Sequence, residues 1–479
     1  MELPRIIQGG MGVGISNWRL ANAVSRQGQL GVVSGTALDQ MLMRRLQDGD
    51  PGGHMRRSLD AFPIRRMAER VWQKYYIEGG KPERQSYAQL PQHILDSPRE
   101  LLELCIVANF AEVFLAREGH KNPVGINYLE KIQLPHLPSM YGAMLAGVAF
   151  VLMGAGIPLK VPGALDRLSL HEPATYPLHV TGATAADEFL IKFDPKVFLE
   201  GAMAPLTRPS FLAIISSDVL GLTLQRKANG RVDGFIVEGP TAGGHNAPPR
   251  GKLQLTPDGQ PIYGERDKVD LVKLRALGLP YWLAGGCGSP DKVAEALSLG
   301  AAGVQVGTVF ALCAESGMRP DLKAAMLAQI RTGEIEIYTD PLASPTGFPF
   351  KVARVAGTIS EGDVYAARPR ICDLGYLREP YKVRDGEIGL RCASEPVNLF
   401  AKKGGELQDT VGRKCICNAL IATAGHPQIR AGKWVEQGIL TSGDDLPAVR
   451  QFLRADGVDY TAADVVTHLL SNVSSTAMA

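Results

Sequence analysis

Two segments constrain this chain more than any others: Tyr281-Trp-Leu-Ala-Gly-Gly-Cys-Gly-Ser-Pro-Asp291 and, shortly after it, Val304-Gln-Val-Gly-Thr308. Each begins as a short apolar run of strand type, stops at glycine and hands over to a helical segment. One such turn read alone is an ordinary loop glycine. Two in series bring backbone N–H groups from neighbouring strand ends toward one point, an arrangement suited to a phosphate or another anion. In a (β/α)8 barrel that point lies in the loops after strands seven and eight.

The rest of the chain supplies the remaining strands. Apolar runs occur at Arg5–Gln8, Leu30–Ser34, Val124–Asn127, Ala149–Met153, Phe211–Ile215 and Gly234–Val237, which with Tyr281–Ala284 and Gly303–Val306 make eight. Most are apolar at consecutive positions, as expected of parallel strands covered on both faces, and helix-like segments separate them. Ser16–Arg26 is one of these. Pro290–Leu299 is another, with Ser289 as N-cap and proline at N1. The sequence therefore predicts an α/β chain built as a (β/α)8 TIM barrel over residues 1–349. Long inserts are expected at about 50–122 and 157–210, with an additional Cys-containing cap segment at 350–479.

The first insert carries a basic helix-compatible stretch from Arg56 to Tyr76 and an amphipathic one near Pro98–Arg117. The second holds a short hairpin around Leu178–Val180 and Phe189–Phe193. Both are equally suited to walling a substrate site or to oligomer contacts, so a homo-oligomer stays open. Two short helices are expected to close the chain, one after Ser442-Gly443-Asp444 and one after Thr461, where Thr461 and Asp464 form a capping box.

With 45% hydrophobic residues, a net charge of +2 and no block of like charge, the chain can bury a large core and offers no basic field for nucleic acid or a membrane surface. No secretory leader pattern and no membrane-length apolar run are visible, so the expected location is cytoplasmic. Seven cysteines in 479 residues do not resemble a secreted disulfide framework. Cys372, Cys392, Cys415 and Cys417 cluster late, but their spacing fits no standard zinc pattern, and no metal ligand is assigned.

The sixth strand runs into Glu238-Gly-Pro-Thr-Ala-Gly-Gly-His245-Asn246. It sets an acid, paired glycines and a histidine at the C-terminal mouth, where barrel catalysis takes place. Glycines admit a flat ligand close to the backbone, and an imidazole there can donate or accept a proton. Gln8-Gly-Gly-Met-Gly-Val-Gly14 follows the first strand without the dinucleotide spacing.

Together with Gly31-Val-Val-Ser-Gly35, Val124-Gly-Ile-Asn127, Gly154-Ala-Gly156 and Ala284-Gly-Gly286, these motifs stand in an order that resembles the nitronate monooxygenase (2-nitropropane dioxygenase-like) family of FMN-dependent barrels. That family includes flavin-dependent enoyl-ACP reductases and their polyketide relatives. The resemblance covers about residues 3–318. It implies that Gly286, Gly307 and Thr308 bind the FMN phosphate, with Gly285 shaping the turn. It places Gly9, Gly10, Met11 and Asn127 along the isoalloxazine, and His245 on the substrate side as the catalytic residue.

The activity so implied is oxidation of an alkyl nitronate with O2 to a carbonyl compound and nitrite. Its alternative on the same fold is NAD(P)H-dependent reduction of an enoyl thioester. A non-redox phosphate-binding isomerase or lyase is the rival from another class. The inserts and Asn246-Ala-Pro-Pro249 depart from the simpler members, which leaves the small-molecule substrate as the least constrained element.

Overall fold

A computed structural model describes residues 3–184, 186–383, 386–453 and 459–473. Eight parallel strands form its centre: β1 Ile6–Gln8, β2 Gly31–Ser34, β3 Val124–Leu129, β4 Phe150–Gly154, β5 Ser210–Ile215, β6 Gly234–Glu238, β7 Tyr281–Ala284 and β8 Gly303–Val306. From β2 to β8 each pairs with the next in the chain. β8 pairs back onto β1 through Val304 and Ile6, and an Ile7–Leu30 bridge joins β1 to the entry of β2. The result is the (β/α)8 barrel read from the apolar runs.

Why those runs do not alternate is now visible. Ile7, Val32, Leu152, Leu212, Ile236 and Trp282 pack together inside the barrel, while Ile6, Val33, Val151, Phe211 and Phe235 on the same strands join the larger outer core. Both faces are buried, so both are apolar; each such side chain contributes about 1.5–3 kcal/mol relative to exposure. Trp282 fits inside because its indole N–H donates to the Pro4 carbonyl at 2.7 Å.

Between strands, three expectations need correction. The Arg56–Tyr76 stretch forms two helices, His54–Asp60 and Arg65–Tyr75, divided at Phe62-Pro63 because proline disfavours helix at the residue before it. The helix Arg99–Ala116 is buried on nearly every side rather than amphipathic, since other helices surround it, those beginning at Trp18, Leu38, His54 and His136 among them. The hairpin of the second insert pairs Ala174–Pro177 with Leu190–Phe193, upstream of Leu178–Val180. Smaller shifts occur at helix starts. The first helix begins at Trp18 with Asn17 as its cap, and Ser289 occupies its N-cap position without a side-chain bond.

After the barrel, β9 (Ile337–Asp340) and β10 (Phe350–Ala353) form an antiparallel hairpin whose connecting loop spans Pro341–Pro349. Later residues pack back onto barrel loops: Leu374, Tyr376, Leu377, Ile416 and Ile421 share a core with Val13, Met41 and Ile132. Polar ties reinforce it. Asp39 accepts from both His93 of the first insert, at 2.8 Å, and the Tyr376 hydroxyl. Arg368 and Glu436 form a fully buried ion pair at 2.6 Å, and Arg430 bridges Glu436 to Asp373. The closing helices are Leu446–Arg450 and Ala462–Leu469, the latter with the Thr461–Asp464 capping box in place. Among the described residues no helix is long and apolar enough to cross a membrane.

Candidate active site

A cavity of about 490 Å3 opens at the C-terminal ends of the strands, and Gly9, Gly10, Met11, Asn127, His245, Gly285, Gly286, Gly307 and Thr308 all line it. Every residue singled out from the sequence thus reaches one place, from β1, β3, β6, β7 and β8.

The turn after β1 is held from below. Gln8 donates to the Ser16 hydroxyl at 2.8 Å and accepts from Val32 N–H at 3.1 Å. Ser16 in turn accepts the Met11 N–H at 2.8 Å and donates to the Gly9 carbonyl at 2.9 Å. Glycine at position 10 is required by its neighbour, because a Cβ there would stand 2.1 Å from Asn127 Oδ1. That Oδ1, together with Ser34 Oγ and Gln305 Oε1, is buried without a hydrogen-bond partner among the described residues. Unpaired buried polar atoms are costly, and three of them around one glycine turn suit the edge of a ligand rich in heteroatoms. Ser34 and Gln305 were missed as site residues. Their signal was a polar side chain near the end of an apolar strand.

At the other end, Gly285 (φ 95°) and Gly286 (φ 69°) adopt backbone conformations that favour glycine. They expose N–H groups beside the Thr308 turn. The Thr308 hydroxyl accepts the Gly443 N–H at 3.0 Å, and Ser442 lies at 3.5 Å, so both close this end from far along the chain. Asp445 takes the Gly288 N–H at 2.6 Å, while the N–H groups of Gly285 and Gly286 have no hydrogen-bond partner among the described residues. A glycine cradle with a hydroxyl at one end and orphaned amides at the other fits a phosphorylated flat heterocycle, as FMN is.

His245 sits on the opposite wall. The backbone around it pairs with β10: Lys351 N–H donates to Gly244 and Asn246 N–H to Pro349, each at 2.9 Å, while Thr441 accepts the Gly244 N–H at 2.8 Å. The ring meets Phe350 edge-on, and Nε2 lies 2.7 Å from Ser344 Oγ. Burial, and then the charge of Lys131, push its pKa down to about 3, so the ring stays neutral. Burial also lowers Lys131 to about 7, against the opposing effect of Glu130, with the ammonium over the Phe348 ring. Glu238, at the end of β6, is raised to about 7 by desolvation.

The four late cysteines face one small separate cavity that shares Leu377, Ile416 and Cys417 with the main one. All are free thiols. Among the described residues no group of three or more His, Cys, Asp or Glu is arranged to hold a metal ion.

The model of one protein family, described as nitronate monooxygenase, matches residues 212–339, from β5 through β9. Over that half of the barrel the chain is similar to the nitronate monooxygenase family. With it the chain is an oxidoreductase, and the non-redox isomerase or lyase reading falls away. No curated protein matches the sequence.

Solved structures similar to the chain include FabK from Thermotoga maritima, at 16% identity and TM-score 0.49 over 100% of this chain and 94% of that one. A nitroalkane oxidase from Streptomyces ansochromogenes is 14% identical with TM-score 0.48, covering 99% and 98%. The enoyl reductase domain of MlnA from Bacillus amyloliquefaciens is 11% identical with TM-score 0.46, covering 98% and 94%. Likeness at this level does not select a substrate.

Proposed function

We propose that the chain is an FMN-dependent oxidoreductase that reduces a neutral, apolar α,β-unsaturated thioester with electrons from NAD(P)H. The observation that carries this reading is the charge of the cavity wall. Its carboxylate, imidazole and cationic side chains among the described residues are Glu238, His245, Asp267, Asp445 and one cation, Arg250, which is exposed and donates to the Ser216 carbonyl at 3.0 Å. The remaining substrate-side wall is apolar, with Ile132, Ile157, Leu220, Leu377 and Leu420. Lys131, the cation that acts on His245, keeps its ammonium over the Phe348 ring and is not itself part of the lining. An anionic nitronate would therefore lie beside acids and a neutral imidazole with only the exposed Arg250 as a lining cation, and burying an unpaired charge is costly. A thioester brings a carbonyl that needs only hydrogen-bond donors, and an acyl chain that suits the wall.

Gly9–Met11, Ser34, Asn127 and Gln305 would hold the ring of FMN, and Gly285, Gly286, Gly307 and Thr308 its phosphate. Bound there, FMN supplies hydride transfer in both directions. His245, neutral at working pH, donates a hydrogen bond from Nδ1 to the thioester oxygen, where charge builds as hydride arrives at the β-carbon. The paired glycines let the substrate lie close to the ring, and Phe350 limits rotation of the imidazole.

Oxidation of alkyl nitronates is the second reading, favoured by the family whose model matches residues 212–339. The two separate in one anaerobic experiment on FMN-loaded protein. NADPH or NADH should bleach the flavin and a 2-enoyl thioester should restore its colour. Bleaching by an alkyl nitronate, with no response to the thioester, would reverse the assignment.

A further inference from the structure

His245 is the first member of a hydrogen-bonded chain that leads away from the cavity. Its Nε2 lies 2.7 Å from Ser344 Oγ; Ser344 is completely buried, and its hydroxyl lies 2.8 Å from Thr346 Oγ1. The Thr346 N–H also reaches Ser344 Oγ, at 3.3 Å, and Thr346 itself is partly exposed. The loop is fixed in place: Arg413 donates to the Ser344 carbonyl at 2.7 Å, and Gly347 N–H does so at 3.1 Å. His245 Nδ1 has no hydrogen-bond partner among the described residues, and His245 lines the cavity.

A serine hydroxyl has one proton and two acceptor positions. If Ser344 donates to Nε2, it accepts from Thr346, and the imidazole carries its proton on Nδ1, toward the substrate. If Nε2 carries the proton, Ser344 accepts it and donates to Thr346. Both arrangements keep Nε2 and the two hydroxyls paired and the ring neutral, and they differ in the direction of the O–H bonds and in which ring nitrogen carries the proton.

We propose that Ser344 and Thr346 form a hydroxyl relay that sets which nitrogen of His245 carries the proton and connects that nitrogen to solvent. Resting on the thioester reading, the step moves one proton. Nδ1 releases H+ to the reduced acyl group, Nε2 takes the Ser344 proton, Ser344 takes that of Thr346, and Thr346 is reprotonated by water. No imidazolium forms. Once product leaves, water in the cavity returns a proton to Nδ1 as the relay runs outward. Ser344 and Thr346 touch no substrate and are positioning residues. The charged groups facing the chain are Lys131, which acts on His245, and Arg413.

The test begins without substrate. In protein labelled with 15N-histidine, with the His245 signal identified by its absence in His245→Gln, the wild type should show one tautomer, protonated at Nδ1. Thr346→Val, close to isosteric but without the hydroxyl, and Ser344→Ala should each mix the tautomers, and Thr346→Ser should restore the single form. An unchanged tautomer in both Thr346→Val and Ser344→Ala overturns the proposal, whatever the enzyme reduces. In stopped flow, flavin reduction by NAD(P)H should be unaffected in Thr346→Val. The thioester step should slow on the order of 10²-fold, with a larger solvent deuterium isotope effect. Equal isotope effects in wild type and variant would also overturn it. Absence of any thioester turnover in the wild type, with the tautomer shift present, would instead remove the substrate reading and leave the relay.

Discussion

Replacing Gly10 by alanine separates the needs of the cofactor from those of the fold. The added Cβ would lie 2.1 Å from Asn127 Oδ1 and 2.4 Å from its Cγ, more than an ångström inside ordinary contact. Gly10 is not among the residues with positive φ, so its backbone accepts alanine and the whole cost falls on Asn127. That side chain has no partner at Oδ1 to lose, so it can swing away with little effect on the empty protein. What it gives up is its position against the flavin. Leaving the ring without its Asn127 partner costs about 1–3 kcal/mol, equivalent to a flavin Kd weakened about 5- to 150-fold. Gly362→Ala is the control, since its Cβ meets nothing within 4 Å and the residue does not line the cavity. Titration of flavin-stripped protein, followed by quenching of FMN fluorescence, measures both, and thermal melts of the stripped proteins check the fold. Wild-type affinity in Gly10→Ala, or equal losses in the two variants, would refute the placement of Asn127 at the ring.

Three further outcomes are expected. His245→Ala should retain flavin yet lose turnover on the order of 10²–10⁴-fold; loss of the flavin instead would make the residue structural. Because burial lowers the folded pKa of His245 to about 3 from an unfolded value near 6.5, the native state binds fewer protons between those limits. Its contribution is complete above about pH 6.5 and is lost as pH falls toward 3. Glu238, raised from 4.5 to about 7, works the other way: the native state binds more protons, so stability falls as pH rises from 4.5 to 7. Urea denaturation of His245→Gln and Glu238→Gln across pH should flatten these opposite slopes one at a time, and parallel profiles for all three proteins would contradict both assignments. Finally, Arg368→Met strands part of the Glu436 charge in a site where both partners are 1% exposed. It should destabilise by about 3–5 kcal/mol; a urea midpoint equal to wild type would show that Arg430 alone satisfies Glu436.

Much of the barrel could be read from the chain because burial on two faces leaves a local mark. Eight apolar runs located eight strands to within a residue or two, and the glycine-ended turns led to the cavity. What escaped reading has a common physical cause. Ser344, Lys351, Thr441, Ser442 and Gly443 reach the site through pairing across large sequence separations, and a serine in a proline-rich loop carries no local sign of the imidazole it will meet. Ser34 and Gln305 were concealed differently, as single polar positions inside runs classified by their apolar neighbours. The helix Arg99–Ala116 misled because its occasional polar residues suggested a wet face, whereas Glu103 and Glu112 are buried against Arg70 and Arg45.

The contact between Gly443 and Thr308 has a consequence for how the protein is made. Strands form in order as the chain is synthesised, N-terminal part first, and the barrel can close once β8 has emerged. The cofactor cradle cannot close then, because the groups that seal Thr308 and clamp the histidine loop come from β10 and from Thr441–Gly443. A nascent chain therefore passes through a period with a finished barrel and an open mouth, and flavin capture belongs to the last stage of translation. A premature stop between β8 and Thr441 would release a chain that has all eight barrel strands but lacks the groups that seal the cradle, and it is expected to stay colourless.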